Sequence, residues 1–311
     1  MNQMTQTKFK ARSLRRQLRF QWPLYLFALP AVIYLLIFAY GPMYGVQVAF
    51  RYYMPGRPLN ECRWVGWHYF EMFIGDPAFR DVFNNTIILS VYYLVANFPF
   101  PIILALMLNE VKNKKYKRTL QTIYYAPHFI STVVLIGMLK IMLSPSIGIV
   151  NFLRVKLGFE SIYYLGKPEY FRPLYVWSGV WQHTGWNAIV YLAALSAVDP
   201  SLLEAAEIDG AGRLRRIWHI NLTAIRPTII ILFIMSIGSL ISVGFEKTWL
   251  LQNPLNNKTS EVIATYVYSR GLMASNLSYG AAIGLFNNTI NLVLLIIANT
   301  VARRFSEISL F

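Results

Sequence analysis

Six runs of apolar residues recur along the chain, at about 22–50, 82–108, 119–143, 174–198, 224–243 and 281–302. Each is long enough to cross a hydrocarbon layer as a helix. Charged and turn-forming residues fill the intervals, so the pattern predicts an all-α polytopic membrane protein with about six spanning helices. That domain covers 22–303, between a basic segment at 1–21 and a short tail at 304–311. The first run is too long for the apolar core of a signal peptide and is not followed by a small-residue cleavage site, which predicts a retained helix.

Prolines interrupt three of the runs: Pro30 and Pro42 in the first, Pro99 and Pro101 in the second, Pro127 in the third. A proline removes one backbone donor and clashes with the preceding turn, so kinks or breaks are expected there. Within a membrane the freed carbonyls must be met by protein or by a water-filled cavity. Phe98-Pro99-Phe100-Pro101 therefore either faces the bundle interior or forms a plain packing kink.

Composition agrees with lipid as the solvent. Of 311 residues 56% are hydrophobic and only 14% charged, against about 25% charged in soluble domains. Cys62 is the single cysteine, which excludes an internal disulfide and a cysteine-held metal. The net charge of +15 would suggest nucleic acid in a soluble protein, but its distribution points to the membrane instead. Lys8 to Arg19, Lys112 to Arg118, Arg213 to Arg226 and Arg303-Arg304 fall on one side of the predicted helices. Basic residues on the other side, such as Arg51, Arg172 and Lys247, are offset by acids such as Asp76, Glu246 and Glu261. By the positive-inside rule both termini are cytoplasmic, and the basic N-terminal run contacts anionic lipid headgroups. The outside loop 144–172 carries an amphipathic piece at 147–157. The loop 244–280 is polar, with turn signals at Asn253-Pro254 and Asn256-Asn257, and is large enough to meet a partner.

Between the fourth and fifth runs, at about 199–219, the sequence predicts a helix-turn-helix on the cytoplasmic surface. Asp199 and Ser201 can cap a helix that has Pro200 at its first position. Gly210 and Gly212 allow a turn, and a second short helix carries Arg215, Arg216, Trp218 and His219. Glu204-Ala205-Ala206, then Gly210, then Ile220 and Leu222 reproduce the spacing of the EAA signature. On this segment, and on Asn85-Thr86-Ile87-Ile88-Leu89-Ser90, Ala126-Pro127-His128 and Ala282-Ile283-Gly284-Leu285-Phe286-Asn287, the chain resembles the permeases of binding-protein-dependent ATP-driven importers. It is most similar to their oligosaccharide and polysaccharide-fragment branch, related to the maltose type. Thr223 departs from the family's usual proline after the Leu, which puts the bend entering the fifth helix in doubt.

The resemblance implies a bacterial cytoplasmic-membrane subunit, not an enzyme by itself, that works with a second and similar permease, two ATPase subunits and an extracytoplasmic solute-binding protein. Glu204, Ala205, Ala206 and Gly210, with Asp209 and Arg213 as polar contacts, would form the docking element for the ATPase. ATP and Mg would sit on those partners, since this chain lacks a phosphate-cradling G-x-x-x-x-G-K-[ST] loop and is expected to bind no cofactor.

For the substrate path the residues offer aromatic faces and amides: Tyr93 and Asn97 in the second helix, Trp177, Trp181, Gln182, Trp186 and Asn187 in the fourth, Asn288 and Asn291 in the last. Intramembrane polar groups usually face the bundle interior. The same residue types also bond neighbouring helices or form interfacial belts, so both readings stand. An ion-coupled secondary sugar transporter is the alternative, but it would normally show intramembrane acids, and here Asp and Glu fall in loops or helix ends. A membrane hydrolase would need clustered histidines or acids, whereas His68, His128, His183 and His219 are scattered.

Overall fold

The structure, a computed structural model, describes residues 14–305, with side chains described for 22–304. It is helical almost throughout. Among the described residues the sole β feature is an isolated bridge between Arg51 and Trp64.

Helix α1 (Leu14–Leu35) runs on through a π turn at Leu36–Tyr40 into a 3₁₀ segment ending at Phe50. None of the apolar stretch of this first span is buried within the chain, so its side chains are left to lipid or to another subunit. A short α2 (His68–Ile74) precedes α3 (Phe79–Asn97) and α4 (Pro99–Asn109), which together form one 31-residue span broken only at Phe98. The third span is sharply divided. Helix α5 (Lys114–Tyr125), capped by Asn113, ends in a 3₁₀ turn containing Pro127, and α6 (Thr132–Met142) leaves at 94°. Outside it lies the amphipathic α7 (Ile149–Lys156).

Helix α8 (Pro168–Leu195) is the central element, touching α3, α4, α5 and the fifth span. It can lie against the end of α5 because residue 185 is glycine: a Cβ there would run into the Tyr124 carbonyl oxygen. After α8 the chain turns by 78° into α9 (Pro200–Ile208). Then α10 (Arg213–Gly238) runs unbroken through a π turn at Ile217–Asn221. The second piece expected of a helix-turn-helix is thus the first turns of the fifth span. Hydrogen bonding continues past Thr223, and Pro227 is accommodated inside the helix. Helix α11 (Phe245–Leu251), α12 (Ile263–Tyr266) and α13 (Leu277–Phe305) complete the chain. Counting each bent pair as one, the described residues give six candidate spans.

The core is three clusters stacked along the bundle. One gathers Phe73, Val82, Tyr266 and Ile283. A middle one holds Leu89, Ala96, Val176 and Val180. The third holds Leu104, Leu108, Leu195 and Ile225. Val82 to Leu108 along α3 and α4 corresponds to about 39 Å at 1.5 Å per residue, so the outer two clusters sit at opposite ends.

Within the polar loop 244–280, residues 252–261 are anchored to the bundle by side-chain amides while 254, 255, 257 and 258 stay exposed. The buried Asn256 donates from Nδ2 to the carbonyls of Leu165 (2.9 Å) and Leu251 (3.0 Å), and Asn253 Nδ2 donates to Leu165 (2.7 Å). Asn85 Nδ2 donates to the carbonyls of Lys258 and Glu261, while its Oδ1 accepts from Arg172. Asn253 and Asn256, one from each turn signal, thus serve to tether the loop. Beside it, burial acts to raise the Asp76 carboxyl, but the Tyr266 hydroxyl (2.6 Å), the Ala78 amide and the Arg270 charge outweigh burial and hold it below its ordinary range. Burial pushes the Glu261 carboxyl up.

Candidate functional site: an interior cavity and a surface helix

A cavity of 490 Å³ opens among α3, α8, the end of α10 and α11. A second space of 320 Å³ shares Asn97, Phe98, Ser236 and Ser239 with it and runs on beside Asn187 and Tyr191. The breaks in the helices create this space. Helix α10 stops at Gly238, and residues 239–244 cross the bundle as irregular backbone before α11 begins. Such backbone needs partners at membrane depth. Asn291 supplies them, its Oδ1 accepting from the Ile241 amide (3.0 Å) and its Nδ2 donating to Ser242 Oγ (3.0 Å). At the other break Gln182 Nε2 donates to the Ile130 carbonyl (2.7 Å), directly after the Pro127 turn, and the Ser131 hydroxyl caps α6.

Of the residues expected to line a substrate path, Tyr93, Asn97 and Gln182 border the larger space and Asn187 the smaller. Asn291 does not border either; it is a buried backbone pin. Trp177, Trp181 and Trp186 lie on the exposed side of α8, each 43–50% accessible. There Trp177 Nε1 donates to Tyr92 Oη (3.0 Å), and Trp186 stacks on His128 at 4.3 Å. Asn288 is exposed on α13. Gln182, the neighbour of Trp181, is by contrast turned into the bundle. His183 lies within 3.3 Å of His128, nitrogen to nitrogen, and borders the cavity.

Several wall residues had no signal in the sequence. Ser90, Ser236, Ser239 and Ser242 bring hydroxyls to it. Lys247, expected in an outside loop, is folded inward on α11, with its Nζ 4.9 Å from the centre of the Tyr175 ring. Glu246 also borders the space.

The segment at 199–219 forms a separate feature at the opposite end from Asp76. Asp199 Oδ1 accepts from the Ser201 amide (2.9 Å), which caps α9 and holds the Asp199 carboxyl below its ordinary range. The helix ends at Gly210, whose φ of +74° is cheap only for glycine, and the Ala211 amide closes the turn on the Ala206 carbonyl (2.8 Å). Arg216 Nη1 then meets Glu207 Oε2 at 2.7 Å, locking α9 to the start of α10. Nothing on α9 is buried: Glu204, Ala205, Asp209, Gly210 and Arg213 are exposed and Ala206 half-buried. Ile208, Leu214 and Trp218 add apolar side chains that are 87%, 83% and 67% exposed. A short capped helix with small side chains, two carboxylates and a bare apolar rim can seat in a protein groove.

Residues 78–307, from the start of α3 through α13, match the family described as the binding-protein-dependent transport system inner membrane component. The chain belongs to this family. It is similar to the polygalacturonan/rhamnogalacturonan transport system permease protein YteP of Bacillus subtilis, with 42% identity over 96% of this chain and 94% of that protein. Protein LplB of the same organism is also 42% identical, over 94% of this chain and 92% of its own length. A solved bacterial alginate ABC transporter, in complex with a periplasmic protein holding an alginate pentasaccharide, includes a chain that superposes with a TM-score of 0.87. That chain is 39% identical and is covered completely by 96% of this one. The subunit is therefore a membrane component of a transporter.

Proposed function

We propose that this chain is the permease subunit of an ATP-driven importer and that its cargo is an oligosaccharide, of the acidic kind released from plant or algal polysaccharides. The names of two similar proteins, one for polygalacturonan and rhamnogalacturonan and one for alginate, support the cargo class. The observation that carries the reading is the cavity itself: hydroxyls and amides gathered inside an otherwise apolar bundle. A sugar leaving water must find such groups, because an unmade buried hydrogen bond costs about 1–3 kcal/mol.

In this reading the extracytoplasmic binding protein delivers the oligosaccharide, and a second, similar permease completes the path. Two ATPase subunits bind ATP and Mg and dock on α9 through Glu204, Ala205, Ala206, Asp209, Gly210 and Arg213, with both termini of this chain on their side. Alternating access then follows from rigid-body motion between two packed states.

Co-purification of the tagged chain from its native membrane, followed by ATPase assays with and without binding protein and oligosaccharides, tests this. ATPase and binding-protein subunits should come down together, and acidic oligosaccharides should raise turnover. A chain that purifies alone and inactive would overturn the reading.

A further inference from the structure

The cavity wall contains a cation, Lys247, that rests on the Tyr175 ring and meets no opposite charge among the described residues. Among the described residues Lys247 pairs with no carboxylate; the one ion pair is Glu207 with Arg216, at the far end of α10. Glu246 borders the same space without bonding Lys247. The room around the ammonium is reserved by the backbone: a Cβ at Gly179 would stand 3.0 Å from Lys247 Nζ and 2.7 Å from Tyr93 Cε2. Two further polar atoms on this wall are buried and unpartnered, Ser90 Oγ, on a side chain 95% buried, and Asn97 Oδ1. Buried polar atoms in a native fold are overwhelmingly paired, so a cation without a carboxylate and two unpartnered oxygens beside the same space point to a ligand there. The complement of that set is an anionic, hydroxyl-rich molecule.

Granting an oligosaccharide cargo, on which this rests, we propose that Lys247 recognises the carboxylate of a uronate unit as it passes through the cavity, with Ser90 and Asn97 meeting that unit's hydroxyls. The cation–π contact with Tyr175 holds the ammonium in place between passages. Lys247 is then the residue by which the permease itself, independently of the binding protein, favours acidic over neutral sugar.

The test is direct binding to the detergent-purified permease–ATPase complex without binding protein. Trigalacturonate is compared with the same trimer after reduction of its carboxyl groups, on the wild type, Lys247→Met and Lys247→Arg. A charge-assisted hydrogen bond corresponds to about tenfold or more in affinity. Lys247→Met should lose that factor for trigalacturonate alone, and Lys247→Arg should keep most of it. Equal loss for both trimers would show that Lys247 only supports α11, and unchanged trigalacturonate binding would show that it does nothing here; either result overturns the inference. Import by the wild type into proteoliposomes with binding protein separates the two levels. Import of trigalacturonate with either of those binding results leaves the function standing and removes the Lys247 assignment, whereas failure to import any oligosaccharide removes both.

Discussion

Gln182 borders the cavity and also meets the Ile130 carbonyl, so it could serve the sugar or the fold, and the geometry favours the fold. Its Nε2 lies 2.7 Å from a carbonyl that the 94° bend between α5 and α6 leaves without a helical donor. The side chain is 4% exposed, too enclosed for water to replace the amide. Gln182→Leu keeps the volume and removes the donor, which leaves a buried acceptor unsatisfied at a cost of about 1–3 kcal/mol. For a chain of this size that corresponds to a fall in Tm of roughly 2–6 °C, at about 2 °C per kcal/mol. The assay is thermal unfolding of the purified complex in detergent, paired with oligosaccharide binding at a temperature well below the transition. The expected result is a lowered Tm with binding changed by less than about threefold, since 1.4 kcal/mol is a factor of ten. An unchanged Tm with binding lost would refute the reasoning and return Gln182 to the list of sugar contacts.

Glu204→Lys should leave the subunit folded and monodisperse by size-exclusion chromatography yet abolish binding-protein-stimulated ATPase activity, because it reverses an exposed charge on α9; normal uptake would remove α9 as the docking element. Gly185→Ala should destabilise the assembly by about 1–3 kcal/mol, the usual cost of overpacking, since its new methyl meets the Tyr124 backbone; an unchanged melting curve would contradict the close approach. Asp76 has a folded-state pKa below its ordinary value of 3.8. Its contribution to stability is therefore complete above that value and is lost as pH falls through the lower, folded one. Wild-type Tm should accordingly fall more steeply than that of Asp76→Asn between pH 5 and about pH 2, and parallel curves would mean that the carboxylate adds nothing.

What could be read from the sequence was whatever local chemistry dictates. Pro127 forces its turn wherever it stands, and the bend appears there. Asp199, Pro200 and Gly210 carry a helix start and a left-handed stop in their own side chains, and α9 runs between them. Its partner piece was misjudged because basic residues at 213–219 mark a membrane boundary as readily as a separate surface helix. The cavity was largely illegible for a different reason. In a soluble domain an aromatic stripe marks the core, but in lipid both faces of α8 are apolar, so Trp177, Trp181 and Trp186 carry no sign of which way they point. Lys247 lies in a segment too polar to be a span, and nothing local reveals that residues 239–244 fold back between helices and carry it inward. For Asn291 the sequence left sugar contact and helix bonding both open for the same reason: an amide that serves a broken backbone has the same composition as one that serves a ligand.

The two sites are joined by one element. Helix α10 begins beside α9, where the Glu207–Arg216 pair fixes the two together, and ends at Gly238 with Ser236 already in the cavity wall. Its 26 residues span about 39 Å. Ile225 and Ile234 bury it against neighbouring helices along the way. The one turn between α9 and α10 is closed by the Ala211 amide and bridged by the Glu207–Arg216 pair. At its far end α10 meets residues 239–244, the irregular segment held by Asn291. That segment makes no regular helical ladder. In the proposed transporter α10 is the element that connects the docking helix α9 to the cavity wall around Lys247, and a displacement of one would reach the other along it.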